Sequence, residues 1–311
     1  MLPSKLLVSI ICILAILGFV AISSTKEYTA GVIVAACTDA KQYLIDHAFD
    51  GVGESLEARS VIVYDFTHKN MLYGKNESEV LPLASLTKLM TVRVALEQES
   101  KPYYTIKDED LLPLGDIGMQ IGQQYTQQDL AVASLVASSN DAAVALSHSA
   151  SLENVSFISL MNTRAKRLGL SSLSFEGVTG LDTAQTTPTA VGNAKDILKL
   201  LYTNYTDYPA LHAHTKLKTA EIAPANGPIL TLENTNDALS AYPLLLAGKT
   251  GYTLSAGGNL AIVWKTKTGS HMGVAVLGSS QDDRFTDAEK LYRQANTFIE
   301  SFETLTASCA L

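Results

Sequence analysis

Positive charge is in short supply in this chain of 311 residues, where 23 lysines and arginines face 31 acidic residues for a formal net charge of -8. No broad positive field follows, which excludes a phosphate-tracking role on nucleic acid. Partners are expected among small molecules or polymers without dense negative charge. Cysteine is scarce as well: three residues, none in a Cys-x-x-Cys pair, give no basis for structural zinc. No His-Glu-x-x-His occurs, and His212-Ala213-His214 is the single close histidine pair, so a zinc peptidase has no ligand set and these histidines read as loop residues. The Gly-x-Ser-x-Gly elbow of an α/β-hydrolase is also missing. Neither a metal nor a cofactor is expected. Internal repeats and low-complexity tracts are absent too, and the length suffices for one large domain or two small ones without stapling.

What is present begins with an apolar run. Lys5 is followed by residues 6–22, whose one ionisable group is the thiol of Cys12. As a helix these residues would span about 25 Å, short for a bilayer crossing and slightly long for a signal-peptide core. Ala21-Ile22-Ser23 offers a small-x-small cleavage pattern, and a retained anchor with Lys5 inside fits equally. Residues 1–23 are therefore expected to be a signal peptide or signal anchor, with the rest of the chain exported. Val34-Ala35-Ala36-Cys37 resembles a lipid-attachment box but trails the apolar core by over a dozen residues. Cys37 and Cys309 allow one disulfide or two free thiols.

Residues 24–58 read as a stalk or linker, with weak helical character over 39–49. The folded domain is expected over 59–311. Residues 60–65 and 71–73 are β-rich around the turn Thr67-His68-Lys69-Asn70, a hairpin pattern. From Ser85 to about Gln98 the spacing predicts a well-buried helix. Thr126, with Asp129 in the first turn, caps the first of at least four helical segments that run to Leu201, the last of them entered at Thr187-Pro188. The period then changes: residues 244–253, 259–265 and 271–278 predict an antiparallel meander, and 286–302 a closing helix. Two strands early and three late, with helices between, make one α/β domain closed by its ends.

Three short patterns carry chemistry. Ser85-Leu86-Thr87-Lys88 opens the first strong helix, where positions three apart share a face, so the Lys88 amine reaches the Ser85 hydroxyl. An ammonium cannot accept a proton, so a catalytic role requires surroundings that keep Lys88 neutral. Ser138-Ser139-Asn140 lies between two helical stretches and Lys249-Thr250-Gly251 on the first late strand. In this order and context they form the S-x-x-K, S-x-N, K-T-G set of penicillin-binding enzymes and serine β-lactamases. Residues 84–91, Ser139-Asn140-Asp141-Ala142-Ala143, Gly180-Leu181-Asp182, Asn234-Thr235-Asn236 and residues 248–253 extend the pattern. From about Ala58 to Phe302 the chain resembles the low-molecular-mass penicillin-binding proteins that are serine D-alanyl-D-alanine carboxypeptidases.

The resemblance implies a β-lactamase/transpeptidase-like fold: an antiparallel five-stranded sheet flanked by helices, with an inserted all-helical subdomain. It implies attack by Ser85 on the bond between two terminal D-alanines of a peptidoglycan stem peptide, on the outer side of a bacterial cytoplasmic membrane, with β-lactams as covalent inhibitors. Lys88 would be the general base, lowered by burial and by the Lys249 ammonium. Asn140 would hold Lys88 and the substrate amide, and Ser138 would relay a proton to the leaving amine. The N-H groups of Ser85 and Tyr252 would form the oxyanion hole. Lys249, Thr250 and Arg284 would hold the substrate carboxylate, and Gly251 would keep the strand edge bare for an extended peptide. Two alternatives accompany this reading. A class A-like β-lactamase would need a water-activating carboxylate, for which Glu176 is placed but lacks the E-x-x-L-N setting; a β-lactam sensor would be acylated once without turnover.

Overall fold

A computed structural model describes residues 26–112, 114, 117–150, 156–183 and 186–309. The apolar run 6–22 lies outside them, and among the described residues no helix is long and apolar enough to cross a membrane. The chain divides into two compact units, one of residues Gly51–Arg293 and a smaller one from the chain ends, up to Asp50 and from Gln294.

The smaller unit contains helix α1 (Lys26–Asp46), longer at its front than the weak helical pattern over 39–49 suggests. Gly31 and the β-branched Thr29, Val32, Ile33 and Val34 mute the helical signal there. The helix ends in a turn at His47, whose backbone N-H donates to Tyr43, with Gly51 beyond it in the left-handed region at φ 74°. Cys37 and Cys309 form a disulfide, which settles the open choice between bridge and free thiols.

The larger unit is built on five antiparallel strands. In chain order these are β1 (Ser60–Asp65) and β2 (Asn70–Lys75) early, and β10 (Leu245–Thr253), β11 (Gly257–Lys265) and β12 (His271–Ser279) late, in the order β10-β11-β12-β1-β2. The expected hairpin and meander both form. β11 and β12 are buried along almost their whole length, as strands covered on both faces must be, and apolar residues therefore fill both sides of the pleat. Trp264 packs its ring on Tyr292 at 4.8 Å between centroids, on the face carrying the early turns of the last helix, α8 (Asp283–Ser308). Fully burying side chains of this size contributes about 2–3 kcal/mol each.

The helical part comprises α2 (Lys88–Leu96), α3 (Gln127–Val136), α4 (Asn140–Ser149), α5 (Phe157–Arg167), α6 (Ala194–Asp207) and the short α7 (Pro209–His212). Thr126 caps α3 as expected: its hydroxyl accepts from the Asp129 N-H at 3.1 Å while the Asp129 carboxylate bonds back. The entry at Pro188 is a different matter. Residues Ala190–Gly192 form strand β7, pairing with β3 (Leu81–Pro82) and β6 (Ser174–Phe175), and α6 starts only after Asn193, whose side chain accepts from the Asp196 N-H at 2.8 Å. Asn193 supplies the stronger cap, so the residues after Pro188 stay extended. This small sheet matters for the site, because β3 leads straight into the nucleophile turn and the Leu83 N-H donates to Ala190 at 3.0 Å. Two further two-stranded ribbons, β4 with β5 (Tyr104–Thr105, Gln124–Tyr125) and β8 with β9 (Thr219–Ile222, Leu230–Glu233), lie outside the patterns read from sequence.

Candidate active site

Ser85 sits half-buried in a 3-10 turn, Ala84–Thr87, that runs into α2. Ala84 holds φ at 47°, a left-handed conformation that costs a non-glycine residue about 1–2 kcal/mol. The Thr87 hydroxyl donates to the Ala84 carbonyl at 2.7 Å. Gly180 lies against the same carbonyl: a Cβ there would come within 1.9 Å of the Ala84 oxygen, and its φ is 81°. Only glycine fits.

Lys88 is the first residue of α2 and is fully buried. Its Nζ lies 2.8 Å from Ser85 Oγ, 2.8 Å from Asn140 Oδ1 and 2.9 Å from the Thr179 carbonyl oxygen. Two of these partners can only accept. A neutral amine gives its two N-H groups to Asn140 and Thr179, which leaves its lone pair for the Ser85 hydroxyl. Burial pushes the Lys88 pKa down to about 7. Lys249 is likewise held well below its ordinary value, by burial first, then by Lys88 and Arg284, and the two buried amines oppose each other's protonation.

Ser138 links α3 to α4 with φ at 56°, and its hydroxyl accepts from Lys249 Nζ at 2.8 Å. Lys249 also donates to the Thr250 carbonyl at 2.9 Å. Asn140 opens α4, and its Nδ2 donates to the Leu114 carbonyl at 2.9 Å. Lys88 and Lys249 are thus two buried amines, each against a serine hydroxyl. Gly251 also faces the nucleophile turn. A Cβ at Gly251 would lie 3.0 Å from Leu83 O and 3.2 Å from both Ala84 Cβ and Ser85 N. The missing side chain lets strand β10 close on the nucleophile turn. Strand β10 stands at the margin of the sheet.

Tyr252, next along β10, is exposed. Arg284 is buried at the start of α8 and donates Nη1 to the Gly251 carbonyl at 2.9 Å. Burial lowers its pKa, with Asp237, Asp282 and Tyr252 opposing from nearby. Among the described residues it has no ion pair, and its neighbour Asp283 bonds Ser280 instead. A surface ion pair is therefore not what Arg284 makes.

The remaining candidates fall elsewhere. Glu176 is exposed, its backbone N-H bonded to Thr189. His212 is buried, has no hydrogen-bond partner on either ring nitrogen among the described residues and is pushed down to about 4 by burial, so it is a neutral core residue rather than a loop residue. Sequence reasoning missed four contributors. The carbonyls of Thr179 and Leu114 carry no side-chain signal. Thr235, whose hydroxyl meets that of Thr250, and Asp182, which binds Thr253 and Ser255, stand in segments recognised as patterns without a role.

The profile of the Peptidase S11 family, D-alanyl-D-alanine carboxypeptidase, matches residues 48–281. The chain is 32% identical over 272 residues to the D-alanyl-D-alanine carboxypeptidase DacC of Escherichia coli, covering 81% of this chain and 64% of that protein. It is 33% identical over 215 residues to a D-alanyl-D-alanine endopeptidase of Haemophilus influenzae, covering 67% and 70% respectively. Among solved structures it resembles penicillin-binding protein D2 of Listeria monocytogenes in its ampicillin-bound form, with a TM-score of 0.66, 30% identity and coverage of 77% of this chain and 98% of that one. The chain spans 60% and 64% of the length of two carboxypeptidase relatives that it matches. Fold and sequence agree on an α/β transpeptidase-like protein with an antiparallel sheet and flanking helices, and the chain belongs to the D-alanyl-D-alanine carboxypeptidase family.

Proposed function

We propose that this protein is a serine D-alanyl-D-alanine carboxypeptidase that removes the terminal D-alanine from peptidoglycan stem peptides through an acyl-enzyme on Ser85. The observation that carries the proposal is the Lys88 amine, buried, lowered to about 7 and 2.8 Å from Ser85 Oγ, with two carbonyl acceptors that leave its lone pair to the hydroxyl.

Ser85 Oγ attacks the carbonyl carbon and its proton passes to Lys88. The N-H groups of Ser85 and Tyr252 hold the oxyanion; the approach of Gly251 to Ser85 N supports this assignment. Collapse of the intermediate breaks the peptide bond, and the leaving D-alanine amine takes a proton relayed through Ser138. Water then attacks the ester, gives a proton to the base, and frees Ser85 and a stem peptide shorter by one residue. Asn140 orients Lys88 and offers its remaining amide hydrogen to the substrate. The terminal carboxylate lies among Lys249, Thr250 and Arg284. Arg284, a buried cation without an ion pair among the described residues, gains from an incoming anion, and the Lys249 amine and the Thr250 hydroxyl offer hydrogen bonds to it, which supports that choice. β-Lactams acylate the same serine. The exposed Glu176 gives the class A-like β-lactamase reading no support.

We place the catalytic domain over 59–311, after a segment 24–58, and assign residues 1–23 to a signal peptide or membrane anchor, with the protein acting on the outer side of the cytoplasmic membrane. The Cys37–Cys309 disulfide supports an oxidising compartment. Fluorescent penicillin should label the wild type and not Ser85→Ala, and mass analysis of a pentapeptide substrate should find one D-alanine released. A wild type that takes no label overturns the proposal. Release from a cross-linked dimer in preference to the pentapeptide would make the enzyme an endopeptidase, and a single acylation without turnover would make it a sensor.

A further inference from the structure

Residues 179–182 touch Lys88, the turn that carries the nucleophile and the far end of strand β10. The Thr179 carbonyl accepts from Lys88 Nζ at 2.9 Å, and its side chain accepts from the Leu181 N-H at 3.2 Å, which closes a tight turn. Gly180 rests on the carbonyl of Ala84, the residue before the nucleophile. Asp182 then reaches the far end of strand β10. Its carboxylate accepts from Thr253 Oγ1 at 3.1 Å, from the Ser255 N-H at 3.1 Å and from Ser255 Oγ at 2.6 Å. The turn is itself tied down, since the Leu181 carbonyl accepts from Thr189 Oγ1 at 2.7 Å.

Tyr252 lies between two fixed points. On one side Gly251 faces the nucleophile turn so closely that a Cβ on it would lie 3.0 Å from Leu83 O and 3.2 Å from Ser85 N. On the other, Thr253 is bonded to Asp182. An edge strand has a ladder on one side only, and β10 pairs with β11 alone. The ladder to β11 continues through Tyr252 and Thr253, opposite Gly258 and Gly257, and the Asp182 bonds add a side-chain tie at the end of the strand, where an oxyanion donor tolerates little displacement.

We infer that Asp182 is a positioning residue of the acyl-transfer reaction: it pins Thr253 and Ser255, and so sets the distance between the Tyr252 and Ser85 N-H groups that receive the oxyanion. The assignment rests on the proposed function above. Asp182 touches neither Lys88 nor the carboxylate-binding groups, so its loss should lower turnover while substrate affinity and the Lys88 titration stay in place.

The test uses the full chain. Asp182→Asn should lower kcat on a pentapeptide, and the rate of acylation by fluorescent penicillin, by about 10- to 100-fold, with KM within about threefold and the midpoint of the pH profile unmoved. Thr253→Val with Ser255→Ala should reproduce the loss, and adding Asp182→Asn to that pair should cost nothing further. If Asp182→Asn does not fold, the Thr253→Val, Ser255→Ala protein decides alone. A kcat within twofold of wild type in a folded variant overturns the inference, as does a loss expressed in KM. The two failures are distinguishable: a wild type without penicillin labelling defeats the proposed function, whereas labelling of Asp182→Asn at the wild-type rate defeats only the role of Asp182.

Discussion

Raising the pH from about 5 to about 9 should switch on acylation of Ser85 along one titration centred near 7, the value to which burial lowers Lys88. The size of the effect follows from the shift. A lysine at its ordinary value near 10.5 is neutral in about one molecule in 3,000 at pH 7, whereas a lysine at 7 is neutral in about half. Burial thus supplies about a thousandfold in competent enzyme, equivalent to roughly 4–5 kcal/mol between the two protonation states. The same shift has a stability signature whose sign can be worked out. Between pH 7 and 10.5 the unfolded chain binds the proton and the folded chain does not, so folding strengthens as pH rises across that window, by about 1.4 kcal/mol per unit, and the gain is lost as pH falls toward 7. The assay is the second-order rate of fluorescent penicillin labelling against pH, with Lys88→Arg as control. An arginine stays charged at every accessible pH, so that variant should remain slow throughout and should show no recovery at high pH. Acylation that climbs only near pH 10, or that Lys88→Arg restores at alkaline pH, would refute burial as the source of the base.

Two more outcomes test the frame around this chemistry. Gly251→Ala should lower acylation by about 10- to 100-fold with little change in melting temperature, because the new methyl meets Leu83 O at 3.0 Å and Ser85 N at 3.2 Å and shifts the strand relative to the nucleophile; wild-type rates would show that the approach is not needed. Replacing Cys37 and Cys309 together by serine should remove about 2–4 kcal/mol of stability, read as a lower melting temperature, and leave labelling of Ser85 intact, since every proposed site residue lies within residues 51–293; lost labelling in a folded variant would contradict that separation.

The sheet was legible in the sequence because its strands carry long apolar stretches set off by turn residues, and the site motifs were legible through their resemblance to the S-x-x-K, S-x-N, K-T-G set. Ser85 and Lys88 share a helix face by arithmetic. What spacing cannot convey is the identity of backbone acceptors. The carbonyls of Thr179 and Leu114 hold Lys88 and Asn140, and any residue type would present the same atom. The small sheet of β3, β7 and β6 was illegible for another reason: strands of two or three residues are too short for alternation to register. Gly251 was noticed as a glycine on a strand edge, but the turn it faces lies more than 160 residues away in sequence, which no local pattern encodes.

Backbone strain separates the site from the scaffold in a way that composition hides. Among the described residues four non-glycine positions have positive φ: Lys69, Asn76, Ala84 and Ser138. The first two serve turns beside the early hairpin, where such residues relax into solvent. The other two flank the nucleophile and accept from Lys249, and both are buried or half-buried. Alanine and serine are poor choices for that conformation, so each costs about 1–2 kcal/mol that the surroundings must offset. For Ala84 the offset comes from Thr87 and from the contact with Gly180; for Ser138 it comes from the Lys249 bond. Relieving the strain by Ser138→Gly would leave Lys249 without its hydroxyl partner. The strain is therefore tied to the two serines' positions relative to their lysines, and a fold free to relax it would lose the arrangement that keeps two buried amines next to two hydroxyls.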